Sequence, residues 1–162
     1  MNFLELARRF VVISAFGLWL GGFTVYTAFV IRLGHRRFPD RQFGFLTGEV
    51  TSVLGLLAAV AAVVACINLA IEWKRLSGGL KWTTVAAVGL LLATLGTSFM
   101  IHSKLDGLLD YKAQKIADQS LFQPLHERYE LVASLQWAAG LFYLGCQLTG
   151  WRRADGERKT EQ

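Results

Sequence analysis

The stretch Val50–Ile71 reads VTSVLGLLAAVAAVVACINLAI and contains no charged residue. Three further runs have the same character, namely Phe10–Ile31, Leu80–Ile101 and Leu131–Trp151. The only formal charge in the four runs is Lys81, at the edge of the third. A helix rises about 1.5 Å per residue, so about 20 apolar residues cover the roughly 30 Å hydrocarbon core of a bilayer. The four runs therefore predict an integral membrane protein with four spans.

The apolar runs are continuous rather than alternating, which favours helices over the strands of a barrel. A chain of 162 residues has little left beside four spans, so we expect one domain over 1–162. The short turn at Ser77–Gly79 makes the second and third spans antiparallel neighbours. The predicted fold class is all-α, an integral membrane antiparallel four-helix bundle. The first run is too long for a signal peptide and is interpreted as a retained span.

The chain carries a net charge of +5, which in a soluble protein would suggest nucleic acid as a partner. Here the basic residues flank the spans, as do Arg8, Arg9, Arg36, Arg37, Lys74, Arg75, Arg152 and Arg153. In these positions they are interpreted as anchors to lipid headgroups, so the predicted partner is the lipid bilayer and not nucleic acid. Their distribution favours cytoplasmic termini in the inner or plasma membrane of the cell.

Small residues recur at helical spacing in the spans and predict close helix–helix faces, and with them a homo-oligomer. They are Gly17, Gly21, Gly22, Gly55, Ala58, Ala62, Ala65, Gly89, Ala93 and Thr97.

Trp73, Trp82 and Trp151 lie near span ends, where indole rings prefer the membrane interface. Trp19 and Trp137 lie deeper and are expected to pack between helices. Cys66 and Cys146 are interpreted as small apolar fillers, and Asn68 and Gln136 as interhelical hydrogen-bonding residues.

The two longer connections lie on the side opposite the termini. Residues 32–49 mix basic and aromatic side chains, including Phe38, Phe43 and Phe45, and are expected to lie on the headgroups. Residues 103–123 are expected to form an amphipathic extension of the third span, followed by the connection to the fourth. Pro124 should interrupt this helix.

The most suggestive polar pattern also lies on this side. His102 precedes Asp106 by four residues, with Asp110 four further on, and His126 precedes Glu130 by the same spacing. On a helix each pair shares one face. The two pairs should lie at the same depth and could hold a divalent metal such as zinc or manganese, pass protons or ions, or form a structural network. These interpretations remain open from the residues alone, and His102, Asp106, His126 and Glu130 form the candidate metal site.

Catalytic patterns are missing from the sequence. It contains no Gly-rich phosphate loop, no Cys-xx-Cys pair and no nucleophile elbow. We therefore expect no enzymatic activity, no catalytic residues and no cofactor apart from the divalent metal just considered.

Two segments carry a family resemblance. Leu18–Phe23 (LWLGGF) and Leu121–His126 (LFQPLH) resemble the transmembrane protein 205-like family, also called domain of unknown function 4149. The Trp-x-Gly-Gly element is also similar to copper-resistance D-type membrane proteins. The first resemblance covers about residues 10–150. It implies a small four-span bundle without established biochemical activity, and it marks His126 as a residue of interest.

Two functions from different classes follow. The first is a membrane scaffold or accessory protein that self-associates through its glycine faces. The alternative is a metal or ion handling and transport protein that uses the His and carboxylate side chains.

Overall fold

The computed structural model describes residues 3–38, 40–76, 78–110 and 115–160, and it describes residues 40–44 and 159 by backbone alone. Over these ranges the elements are α1 (Phe3–Val25), a π-helical turn (Tyr26–Val30), α2 (Ile31–Arg37), α3 (Asp40–Glu72), α4 (Gly78–Gly107), β1 (Leu109–Asp110), β2 (Lys115–Ile116) and α5 (Gln119–Thr160). Four helical stretches within the described ranges are long and apolar enough to cross a membrane: Phe3–Arg37, Phe45–Glu72, Gly78–Gly107 and Gln119–Arg158. The predicted all-α, multi-pass membrane protein is confirmed.

The helices form a bundle in which α1 and α4 each pack against both α3 and α5. Arg8, at the start of α1, hydrogen-bonds to Asn68 near the end of α3. Nε2 of His102, near the end of α4, lies 2.8 Å from Oγ of Ser52 in the first half of α3. Each pair therefore joins the earlier part of one helix to the end of another. We call the end with residues 3–9, 68–76, 78–80 and 147–160 the terminal end, and the end with residues 23–38, 40–51, 102–110 and 115–134 the loop end.

Large side chains from α1 and α5 fill the space beside small residues of α3. Ala61 and Ala65 are fully buried, which lets the ring of Phe16 enter the core. Phe16 stacks on Tyr143 with ring centroids 4.9 Å apart and meets Trp19 edge-on at 5.9 Å. Aromatic pairs of this kind contribute about 0.5–1.5 kcal/mol each beyond the area they bury. The expected packing of Trp19 between helices is confirmed.

The side chains of Trp19 and Leu20 pack directly against the backbone of α5 at Gly140. A Cβ atom there would lie 2.6 Å from Cζ3 of Trp19 and 3.0 Å from Cδ2 of Leu20. Glycine is required here because no other residue leaves room for the indole. Gly22 and Gly55 also face neighbouring side chains, of Leu54 and Phe99 respectively.

The connection from α4 to α5 differs from the expected amphipathic helix over 103–123. The helix ends at Gly107, and a short antiparallel hairpin pairs Leu109 with Ile116 and Asp110 with Lys115. Glycine is a poor helix former, which explains an end at this position. The expected interruption at Pro124 is also wrong, because α5 already begins at Gln119 and Pro124 lies inside it. A proline this close to the start removes only one backbone hydrogen bond.

Most of the first connection is helical as well. Residues 32–37 belong to α2, and α3 begins at Asp40. The position of this connection on the headgroups stays a prediction. Phe38 is extended, with φ −120° and ψ 149°, as expected for a residue that precedes a proline. The side chain of Phe43 lies outside the described residues.

Candidate functional site

The four predicted site residues lie at the loop end as two pairs, one on each of two adjacent helices. On α4, Nε2 of His102 lies 3.5 Å from Oδ2 of Asp106. On α5, Nε2 of His126 lies 3.2 Å from Oε1 of Glu130. The helical spacing thus brings each imidazole to the carboxylate of its own helix, as the sequence predicts.

Both pairs line one open cavity of about 460 Å³, to which α1, the π-helical turn, α2, α3, α4 and α5 all contribute residues. His35 also lines it, so all three histidines of the chain meet there. Volumes of about 300–1,000 Å³ are typical of small-molecule sites. Asp110 and Glu49 are not among the lining residues.

The polarity of the cavity lining changes from its buried inner wall, the floor, to its open rim. Tyr26, Leu105 and Ala133 are buried and form its inner wall. The side chains of His126 and Glu130 at the rim are 43% and 64% exposed. A smaller void of about 30 Å³, large enough for one water molecule, shares part of this wall and extends inward to Trp19 and Gln136. The cavity is therefore apolar toward the bundle and polar toward the outside.

A π-helical turn forms one wall. The N–H of Ile31 donates to the carbonyl of Tyr26, five residues earlier. Threonine hydroxyls compete for nearby carbonyls, since Thr24 donates to Leu20 and Thr27 to Phe23 at 2.7 and 2.9 Å. Such side-chain bonds bend helices, and single π turns are frequent at functional sites. The turn presents Tyr26 and Thr27 to the cavity.

The chemistry of His102 depends on the groups that contact its ring nitrogen Nε2. The hydroxyl of Ser52 is within hydrogen-bond distance of both the carbonyl of Gly48, at 3.0 Å, and Nε2 of His102, at 2.8 Å. Asp106 meets the same nitrogen. In a Ser-His-Asp triad the acid binds the other ring nitrogen and the serine gives its proton to histidine. Ser52, His102 and Asp106 have the composition of such a triad without its geometry.

The predicted metal site gains no further ligands. In the part of the chain that the structure describes, no group of three or more His, Cys, Asp or Glu side chains is placed to hold a metal ion. Nε2 of His102 already contacts Ser52 at 2.8 Å and Asp106 at 3.5 Å, so it would have to lose these contacts to coordinate a metal ion. Metal binding by His102, Asp106, His126 and Glu130 stays a prediction.

The terminal end contains a polar network that the sequence analysis did not predict. Asn68 lies at its centre and donates to Tyr143 at 3.0 Å and to Gln147 at 2.9 Å. Arg8 donates to the amide oxygen of Asn68 and to the carboxylate of Glu72. The network therefore joins α1, α3 and α5. The interhelical role expected of Asn68 is confirmed.

A second part of this network lies on the outer side of the helix ends. Arg9 donates to Asp155 at 2.7 Å and to Glu5 at 2.8 Å, and its guanidinium lies over the ring of Trp151. Arg158 reaches the same Glu5 at 2.9 Å. The expectation that Arg8, Arg9 and Trp151 are headgroup anchors is wrong, because all three face neighbouring helices. Trp73 and Trp82 are exposed, as an interfacial position requires.

Spacing in the sequence could have revealed this network. Tyr143, Gln147, Trp151 and Asp155 follow one another at intervals of four, and Asn68 precedes Glu72 by the same interval. A repeated polar stripe at a span end indicates a partner on another helix rather than random exposure.

Neither Cys66 nor Cys146 forms a disulfide, and Cys146 is buried. Both are compatible with their expected role as small apolar fillers.

No family model, no curated protein and no solved structure matches the chain. The resemblance to the transmembrane protein 205-like family therefore stays a prediction, and the chain is described by what its own residues show: an integral, multi-pass helical membrane protein with a polar network at one end and a cavity at the other.

Proposed function

We propose that this protein binds a small amphipathic molecule in the cavity at the loop end. The observation that carries the proposal is the cavity itself, where three histidines and two carboxylates meet an apolar floor inside about 460 Å³. His102 follows the third predicted span directly, and His126 and Glu130 precede the fourth. The cavity thus lies at headgroup level, where a molecule with one polar and one apolar end is most stable.

The geometry supports binding rather than catalysis. Ser52 and Asp106 contact the same nitrogen of His102, at 2.8 and 3.5 Å. In a catalytic triad the acid instead binds the ring nitrogen that faces away from the serine. We therefore assign the cavity residues roles in positioning and recognition of a ligand.

A cavity-filling substitution tests the proposal. Ser134 lines the cavity and is exposed, so Ser134→Trp should occupy the space without disturbing the core. Leu135→Trp is the matched control, since Leu135 is exposed and does not line the cavity. We expect amphipathic small molecules to raise the thermal midpoint of the wild type and of Leu135→Trp, and to leave Ser134→Trp unchanged. Equal shifts in all three proteins would contradict binding in this cavity.

Self-association as a membrane scaffold or accessory protein is a second candidate function. Gly89, Ala93 and Thr97 of α4 are exposed, and a Cβ atom on Gly89 would meet nothing within 4 Å. Small residues at this spacing let two helices approach closely in a membrane. Single-molecule photobleaching in bilayers should show dimers that Gly89→Leu disrupts, whereas Gly145→Leu, at another exposed glycine, leaves them intact. Monomers in the wild type would contradict this function.

We also propose that the protein lies in the inner or plasma membrane with both termini in the cytoplasm. Basic residues at the terminal end support this orientation. A protease added to sealed right-side-out cells should leave an epitope at the C-terminus intact, and cleavage of the epitope would reverse the assignment.

A further inference from the structure

We infer that the ligand of the cavity is an organic cation, a protonated amine on an apolar body, an inference that rests on the binding function proposed above. The charge of the cavity is the first reason. Asp106 and Glu130 line it, and among the residues that the structure describes no lysine or arginine does. The chain as a whole carries +5, so this negative site stands apart from the basic surroundings.

Each of the two carboxylates faces a histidine of its own helix. Nε2 of His102 lies 2.8 Å from Oγ of Ser52. The same nitrogen faces Asp106, and His126 faces Glu130 in the corresponding way. A carboxylate has about four lone-pair sites, so facing an imidazole does not prevent it from accepting hydrogen bonds from an ammonium group as well.

Aromatic rings supply the other component of cation recognition. Tyr129 packs beside His102 with ring centroids 5.7 Å apart, and Phe122 stacks on His126 at the same distance. Phe23 and Tyr26 complete the aromatic part of the wall. Ring faces attract ammonium groups, most strongly where water is excluded, and aromatic cages for organic cations use this attraction.

The size of the cavity favours an organic cation over a metal ion as its ligand. A metal ion needs several ligands within about 2–2.6 Å, and it would leave most of about 460 Å³ empty. A primary amine with a phenyl-sized or short alkyl body can place its charge between Asp106 and Glu130 and its body against Leu105 and Ala133. This orientation follows the polarity of the cavity from rim to floor.

Matched probes test the inference. Purified full-length protein in nanodiscs of zwitterionic lipid is titrated with an amine, an alcohol and a carboxylate on the same phenylbutyl, naphthyl or decyl body, with empty nanodiscs as the blank. We expect the amine of at least one series to bind about tenfold more tightly than its alcohol, and the carboxylate to bind most weakly.

Substitutions then locate the charge. We expect Asp106→Asn and Glu130→Gln each to weaken amine binding about threefold, since exposed ion pairs contribute modestly, and to leave alcohol binding unchanged. Glu127→Gln is the control, because Glu127 is exposed on the same helix and does not line the cavity. Equal binding of amine and alcohol would overturn the cation inference and leave the binding function standing. Absence of binding in every series would overturn the binding function itself.

Discussion

The guanidinium of Arg8 donates a hydrogen bond to the carboxylate of Glu72 across 2.6 Å and ties the start of α1 to the end of α3. Only 14% of the Arg8 side chain and 8% of the Glu72 side chain are exposed. The indole N–H of Trp151 donates to the same carboxylate oxygen at 3.0 Å, so α5 joins this contact. The terminal end is closed by polar contacts, whereas the loop end surrounds a cavity.

Removing one partner of the Arg8–Glu72 pair should strongly destabilise the bundle. Glu72→Ala leaves Nη2 of the largely buried Arg8 and the N–H of Trp151 without their acceptor. We expect a loss of about 3 kcal/mol in the free energy of unfolding, measured by denaturation in mixed micelles. Arg75→Ala serves as the control, because Arg75 is 60% exposed and lies 4.0 Å from Glu5. A loss as small in Glu72→Ala as in Arg75→Ala would show that the pair is not buried as described.

Replacing Asn68 should destabilise the bundle more than replacing Tyr143 or Gln147, the two side chains to which it donates. Asn68→Leu removes bonds to Arg8, Tyr143 and Gln147 at once and leaves buried polar groups unpaired. We expect about 2 kcal/mol of destabilisation. Tyr143→Phe removes a single interhelical bond and should cost about 0.6 kcal/mol. The same unfolding assay measures both, and an equal cost for the two variants would contradict the central position of Asn68.

The close approach at Gly140 predicts a sharp steric effect. A Cβ atom in Gly140→Ala would lie 2.6 Å from the ring of Trp19, so α1 and α5 must separate or the indole must move. Overpacking of this kind costs about 2 kcal/mol. Gly145→Ala, five residues along the same helix, adds a methyl group that meets nothing within 4 Å and should be neutral or stabilising by up to about 1 kcal/mol. The prediction fails if both variants have the same thermal midpoint.

Asp118 should make the start of α5 sensitive to pH. The hydroxyl of Ser120 and the backbone N–H groups of Leu121 and Ser120 donate to its carboxylate, which lowers the pKa of Asp118 below its ordinary value. A lowered pKa means that the stabilisation is present above the ordinary carboxyl pKa and is lost as the pH falls through the folded-state pKa.

Amide exchange at Ser120 and Leu121 measures this effect. We expect their exchange, corrected for its intrinsic pH dependence, to accelerate at acidic pH in the wild type. Asp118→Ala should show fast exchange at every pH, and Asp118→Asn should retain protection because its amide oxygen still caps the helix. A wild-type profile without pH dependence would rule out the carboxylate as the cap.

Continuous apolar runs such as Val50–Ile71 predict the spans because the lipid solvent leaves few alternatives. The ends of the helices were harder to predict. The sequence does not show whether a charged residue such as Arg9 faces headgroups or a neighbouring helix, because this depends on the rotation of α1 within the bundle. The composition of 103–123 is compatible with a helix, but Gly107 and the capping of α5 by Asp118 favour a hairpin there.

The candidate site was predictable in part. The spacing of His102 and Asp106, and of His126 and Glu130, predicts the two pairs because residues four apart share a helix face. The cavity between them was not predictable, since it depends on the π-helical turn at Tyr26–Val30 and on how far the helices stand apart at the loop end.

The most direct test of ligand binding at the loop end is photoaffinity labelling followed by peptide mass spectrometry. An amine probe with a diazirine on its apolar body is irradiated with the protein in nanodiscs, with and without an excess of the parent amine. We predict labelling that the parent amine suppresses within residues 23–35 and 122–134, which line the cavity. Labelling spread over lipid-facing residues such as Leu92 and Phe142, unchanged by the competitor, would contradict the account.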